Sequence, residues 1–282
     1  MIMIVPRSHV KRNKLRKVNR HGERSPDADE LSLSDQQELI LNLTALEGLE
    51  GLTNLRYYSN CQRFKTLMAE AKEYSLTEEF APYMDLIPLL KNKTGVDFTE
   101  NPTMFQSLYD LYRSSIALGL DIPEWAQPLL PRLSEAGRLA YRLYFRNDEM
   151  KKIGGGVLLN MFIQAGNDFI AGKPVSQRLR LFSAHDFNLG SLMEVARVKN
   201  DQTIPEYGSV FALEMYRSRN TGAFSVLPVY LPKAGESSAK ILKIKDCGSS
   251  CHCSFTKFKE MTKEFLLPEA EFYPLCGIKT EL

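Results

Sequence analysis

The sequence predicts an α/β protein: a sheet core that carries an inserted α-helical cap. Two observations point there. Segments of strand texture, at 178–182, 210–216 and 224–231, sit in the last third of the chain with helical patterns beside them. Residues 62–172, in contrast, carry apolar residues at helical spacing almost throughout. Strand-loop-helix units bracketing a helical block imply a sheet with an insertion. The expected division is a core of residues 1–56 and 173–282 and a helical cap of 57–172.

Taken in order, residues 1–19 are polar and weakly patterned, and Asn13-Lys-Leu-Arg-Lys-Val-Asn19 is poor strand sequence. Met1-Ile-Met-Ile-Val5 is too short for a signal-peptide core, and Pro6-Arg7 interrupts it. Arg20 to Pro26 is turn-rich. Ser34 followed by Gln37 is a capping-box signature, after which Leu39, Leu43 and Leu46 share a helical face. A leucine at every third position from Leu43 to Leu55 has the texture of a leucine-rich repeat, but one such unit cannot bury its own face.

Helices are expected at 63–74, 78–93, 101–118, 134–145 and 156–171. They are punctuated by Gly95, Pro102, Pro123, Pro128, Pro131 and Gly154-Gly155-Gly156. The strand at 178–182 ends in Ser183-Ala-His-Asp186, and a helix is expected at 189–198. The strands at 210–216 and 224–231 are joined by Ser218-Arg-Asn-Thr-Gly222, and a helix closes the pattern at 255–265.

Composition limits the function. The chain is 44% hydrophobic and 25% charged, enough for a large core, and its net charge of +2 gives no reason to expect nucleic acid or an acidic membrane. The N-terminal arm is basic, with Lys11, Arg12, Lys14, Arg16, Lys17, Arg20 and Arg24. No run of about 20 apolar residues is present, so no membrane span is expected. Of the five cysteines, Cys247, Cys251, Cys253 and Cys276 cluster near the C-terminus, which implies a stapled region in an oxidising compartment. Cys247, Cys251, His252 and Cys253 also admit a metal-site reading, although C-x-x-x-C-H-C is not a usual zinc spacing. The sequons at Asn42 and Asn92 permit glycosylation of a secreted chain.

Two places carry chemistry. In Arg20-His21-Gly22-Glu23-Arg24-Ser25-Pro26, two guanidiniums flank one imidazole, and arginine forks match phosphate oxygens in charge and geometry. Gly22 admits a bulky anion close to the backbone. Cationic neighbours disfavour imidazolium, which keeps a histidine there a neutral nucleophile. The plain alternative is a basic loop with an incidental histidine. The second place, Ser183-Ala184-His185-Asp186, stands at the carboxyl end of an expected strand, where α/β proteins place ligands. His185 suits a hydrogen bond to a phosphoryl oxygen, and Asp186 suits protonation of a departing alkoxide. Its plain alternative is a polar strand end with Asp186 capping the next helix.

These two strings, in this order, resemble the signature motifs of the histidine acid phosphatases. Further similarity runs from about Tyr58 to Cys276 and includes Ser59-Asn-Cys61, Leu120-Asp-Ile-Pro-Glu-Trp125, Gly154-Gly-Gly156, Pro205-Glu-Tyr-Gly-Ser209 and Asp246-Cys-Gly-Ser-Ser-Cys251. The insect venom and lysosomal type is the most similar. The resemblance implies a phosphoglycerate-mutase-like sheet with an inserted helical cap. It implies His21 as the phosphate-accepting nucleophile, Arg20, Arg24 and His185 as phosphate ligands, and Asp186 as the proton donor. It also implies disulfides Cys61–Cys276 and Cys247–Cys251, with Cys253 left over, and a secreted or lysosomal protein. The implied partner is a small-molecule phosphate monoester, with no metal or other cofactor and with a homodimer left open.

The sequence departs from the family in three ways. Family members carry, between the Arg-His-Gly motif and the first of these cysteines, a long segment with a Ser-Thr-x-x-x-Arg stretch that supplies a third phosphate-binding arginine, and residues 27–60 hold no match to it. The segment before Arg20 is not the family's continuous apolar run, and no signal peptide is visible. A segment lost near the N-terminus would account for all three. The expectation is a phosphohistidine phosphatase of low activity. The alternatives are a non-catalytic, secreted phosphate-binding pseudophosphatase and a phosphoglycerate-mutase-like transferase, whose usual motif lacks the Arg-x-Pro ending.

Overall fold

The computed structural model describes residues 2–7, 53–173, 179–200 and 203–279. The expected features at 13–19, 20–26 and 34–46, the leucines before Leu55 and the sequon at Asn42 lie outside the described residues.

The sheet holds β1 (Ile2–Arg7), β2 (Arg180–Phe182), β3 (Val210–Arg217), β4 (Phe224–Leu231), β5 (Lys240–Ile241) and β6 (Cys253–Ser254). Its order is β2-β1-β3-β4-β5, with β6 also pairing β4. The β3–β4 hairpin closes through residues 218–223, where Gly222 takes φ +70° in the expected turn. β1 was not expected. Ile-Met-Ile-Val is a short apolar run that contains β-branched residues, the texture of a buried strand. It lies antiparallel to β2, with Ile2 opposite Phe182, and parallel to β3, with Ile2 opposite Phe211. The amino end of β1 is therefore level with the end of β2 from which Asp186 departs.

The helices follow in chain order. α1 (Tyr57–Asn60) continues from a 3-10 turn at Thr53–Arg56, and α2 (Gln62–Thr77) follows Cys61. The stretch expected as one helix at 78–93 divides into a 3-10 turn, Ala81–Leu86, and α3 (Ile87–Thr94), which ends at Gly95 with φ +75°. α4 (Met104–Ala117) and α5 (Leu130–Leu143) come next. Pro131 lies in the first turn of α5 rather than breaking it, because proline's missing N–H costs nothing there. α6 (Asp148–Ile170) begins at an Asn147 cap whose side chain accepts from the Met150 N–H at 2.9 Å, with Asp148 and Glu149 favourable beside the helix's positive end. α7 (Asp186–Val195), α8 (Phe255–Thr262) and α9 (Glu269–Leu275) complete the series.

Gly154-Gly155-Gly156 does not break a helix, as the sequence suggested, but sits inside α6. A Cβ on Gly155 would lie 2.5 Å from the Ser191 carbonyl oxygen, and one on Gly156 would lie 2.4 Å from that of Phe265. The glycines let α6 lie against α7 and the Phe265 turn, and this packing outweighs their poor helix propensity.

The described residues divide into two compact units. In the first, with 2–7, 53–64 and the residues from 147 onward, Leu158, Phe162, Leu189, Leu192, Phe211, Leu213, Val226, Phe255 and Phe258 form one core. On β3, Val210 and Ala212 alternate with these inward residues and pack instead with Val229 and Leu231, so the strand is covered on both faces. The second unit, residues 65–146, centres on Phe105, which stacks on Phe80 at 5.8 Å and meets the Phe98 ring edge-on at 5.3 Å. α6 belongs to the first unit because it packs against α7.

Candidate active site

β2 ends at Phe182, and four residues later α7 begins. His185 is the extended N-cap, φ −86° and ψ 167°, and Asp186 is the first helical residue. A strand end turning directly into a helix places two adjacent polar side chains at the positive end of the helix dipole. The Asp186 carboxylate is buried, and its Oδ1 accepts from the Phe187 N–H at 3.0 Å. His185 is partly buried, with the Tyr58 ring edge-on at 5.7 Å. Tyr58 meets Phe187 at 5.4 Å, so one tyrosine lies against the residues on both sides of Asp186.

The backbone of this pair is held by residues the sequence reading did not single out. Asn188 is fully buried; its Oδ1 accepts from the His185 N–H at 3.1 Å, and its Nδ2 donates to the Leu55 carbonyl at 2.9 Å. The Tyr57 hydroxyl hydrogen-bonds Ser191 Oγ at 2.9 Å and donates to the Phe187 carbonyl at 3.4 Å. An available signal was Asn188 standing three residues after the cap, the second half of a capping box in which His185 replaces the usual serine or threonine.

The motif residues Arg20, His21 and Arg24 lie outside the described residues. The cysteines are described. Cys61 and Cys276 form a disulfide with Cα atoms 4.3 Å apart, and the Gln62 N–H donates to the Cys276 carbonyl beside it.

The other expected bridge is corrected: Cys247 pairs with Cys253, Cα atoms 5.5 Å apart, and Cys251 is the free thiol. The cause is β6. Pairing with Val226 of β4 turns the Cys253 side chain into the core against which Cys247 packs, whereas Cys251 stays partly exposed in the preceding bend. The bridge also removes two thiolates from the metal reading, and His252 Nδ1 instead lies 3.1 Å from Ser225 Oγ. Among the described residues no cluster of His, Cys, Asp and Glu has metal-binding geometry, and no helix is long and apolar enough to cross a membrane. Asn92 is exposed on α3, while the Thr94 hydroxyl of its sequon donates to the Leu90 carbonyl.

A mixed sheet with a His-Asp pair at a strand end and a separate helical unit makes this an α/β fold. The phytase from Citrobacter braakii superposes with a TM-score of 0.52 over 79% of this chain and 68% of that one, at 14% identity. In sequence, the chain is 24% identical over 200 residues to the lysosomal acid phosphatase of Xenopus laevis, a match covering 68% of this chain. It spans 45% of that relative's length. No family model matches. Sequence and fold together support the resemblance to the histidine acid phosphatases.

Proposed function

We propose that this chain is a phosphomonoesterase acting through a phosphohistidine on His21, with Asp186 as proton donor. The observation that carries the reading is the buried Asp186 carboxyl beside His185 at the β2–α7 junction, in a chain that also holds Arg20-His-Gly-Glu-Arg-Ser-Pro26. The phosphatase and phytase relatives support a phosphate monoester as substrate. β1 leaves the junction end of the sheet and runs away from it, but the chain from Arg7 to His21 can span about 45 Å when extended, against about 20 Å for a six-residue strand.

In the first step a ring nitrogen of His21 attacks phosphorus, the bond to the leaving oxygen breaks, and Asp186 gives that oxygen its proton. In the second, water attacks phosphorus, Asp186 takes its proton, and the P–N bond breaks to release phosphate. Arg20, Arg24 and His185 neutralise the phosphoryl oxygens. Residues 27–60 lack the family's third arginine motif, and loss of one preorganised donor lowers turnover by about 10²–10³. That gap also favours a second reading, a pseudophosphatase that binds phosphate without turnover. In the primary reading the protein is secreted or lysosomal, glycosylated at Asn42 and Asn92, and open to homodimer formation.

The test is hydrolysis of p-nitrophenyl phosphate at acidic pH, with trapping of an acid-labile phosphoenzyme. Weak activity lost in His21→Ala, and falling in Asp186→Asn more for poor leaving groups than for p-nitrophenolate, supports the proposal. Phosphate binding without turnover selects the second reading, and activity that survives His21→Ala rejects the first.

A further inference from the structure

We infer that Asn188 is a positioning residue for the His185–Asp186 pair, acting by tying the start of α7 to the turn that precedes Cys61. The inference rests on the phosphatase reading only for what the pair is positioned to do. Asn188 is 0% exposed and uses both ends of its amide. Oδ1 accepts from the His185 N–H at 3.1 Å, and Nδ2 donates to the Leu55 carbonyl at 2.9 Å, across 133 positions of sequence. A fully buried amide satisfied on both sides has no water to fall back on, so neither bond is exchanged cheaply.

The same turn grips α7 at a second point, since the Tyr57 hydroxyl bonds Ser191 Oγ and the Phe187 carbonyl. A third grip is the Tyr58 ring, which lies edge-on to His185 and Phe187. The far end of the turn is itself fixed. The Cys61 N–H donates to the Tyr57 carbonyl, and Cys61 is bonded to Cys276. Residues 54–61 therefore form a clamp on the first two turns of α7, with the disulfide at one end and the Leu55–Asn188 bond at the other. Neither Asn188 nor Tyr57 needs to touch phosphate to act. A displacement of about 1 Å in a group that must reach a reacting atom costs on the order of 10² in rate.

The experiment uses the full chain and two readouts, one independent of turnover. In 15N- and 13C-labelled protein, the His185 amide exchange rate and ring-proton shifts are compared among wild type, Asn188→Ala, Asn188→Asp and Tyr57→Phe, with His252 as internal control. Asn188→Ala should speed His185 amide exchange at least tenfold and move its ring signals, which sense the Tyr58 ring current, while His252 stays put. Asn188→Asp keeps an acceptor for the His185 N–H but not a donor to Leu55, so it should retain the amide protection and still shift the ring. On p-nitrophenyl phosphate, Asn188→Ala should lose about 10–100-fold in kcat with KM nearly unchanged. A folded Asn188→Ala protein with native His185 signals overturns the inference. If Asn188→Ala does not fold, the other two variants decide by the same signals. Wild type without phosphatase activity but with His185 signals that respond to Asn188 overturns the phosphatase reading and leaves the positioning role standing.

Discussion

Gly155 shows at the scale of one residue how the chain sets its helix spacing. An added Cβ there meets backbone, the Ser191 carbonyl at 2.5 Å, whereas at Gly154 it meets side-chain atoms, Ser191 Oγ at 2.4 Å and the Tyr57 ring at 2.9 Å. Backbone on a packed helix cannot step aside, and a serine hydroxyl can rotate. Gly155→Ala should therefore destabilise the protein by about 1–3 kcal/mol in urea titrations, despite alanine's better helix propensity, as overpacked cores do. Gly154→Ala should cost less in stability yet disturb the Tyr57–Ser191 bond that grips α7. Equal midpoints for wild type and Gly155→Ala would mean that α6 and α7 are not in contact there. Tyr57→Phe, which removes one buried hydroxyl bond, should cost about 1 kcal/mol by the same measurement.

Between elements, the cysteines give the cleanest check. With Cys61–Cys276 and Cys247–Cys253 formed, the oxidised protein should hold one reactive thiol, abolished by Cys251→Ser and not by Cys253→Ser. A peptide map that instead linked Cys247 to Cys251 would displace β6 from β4. Cys251 stands in a bend two residues before Cys253, and the sequence did not separate them because a two-residue strand carries too little pattern to show which cysteine joins it. Other elements were legible to different degrees for similar reasons. The strand at 224–231 was readable to the residue because eight β-rich positions sit between turn residues. The triple glycine of α6 was misread because glycine marks both a break and a close helix contact, and only the neighbour distinguishes them. β1 was missed because four apolar residues beside a proline satisfy several patterns equally. At the site, the His185–Asp186 pair was visible as a polar end to a strand, but its supports were not. Leu55 and Tyr57 lie far from Asn188 and Ser191 in sequence, and a carbonyl acceptor leaves no mark in composition.

At the scale of the molecule, the charge pairs among the described residues give an expected response to acid. Asp85, held by Arg132, and Asp97, held by Lys91 and Thr99, lie in the helical unit, and both carboxyls are kept below the usual carboxylate range. In the sheet-bearing unit Glu149 is lowered by a two-point hydrogen bond from Arg63, at 2.7 and 2.6 Å, and Asp246 by one from Arg197. A carboxyl whose folded value is depressed adds stability above its ordinary value, near 4, and loses that stability as pH falls through the depressed one. These contributions are thus intact at pH about 5 and vanish progressively below about 4. Lys91 and Lys263 are raised by their partners Asp97 and Glu260, so their contributions hold below about 10 and are lost above it. Tyr83 is raised by burial and then by Glu135, which also disfavours the folded state once the unfolded phenol ionises near 10. Thermal midpoints should therefore form a plateau from about pH 5 to about 9 and fall on both sides. Because the pairs are exposed, each contributes little, and added salt should shrink the acid fall rather than shift the plateau. Arg63→Met should lower the plateau slightly and flatten the acid limb by Glu149's share, leaving the shares of Asp85, Asp97 and Asp246 unchanged. A steep loss between pH 7 and 5, or an acid limb indifferent to salt, would show that a buried group and not these surface pairs controls acid stability.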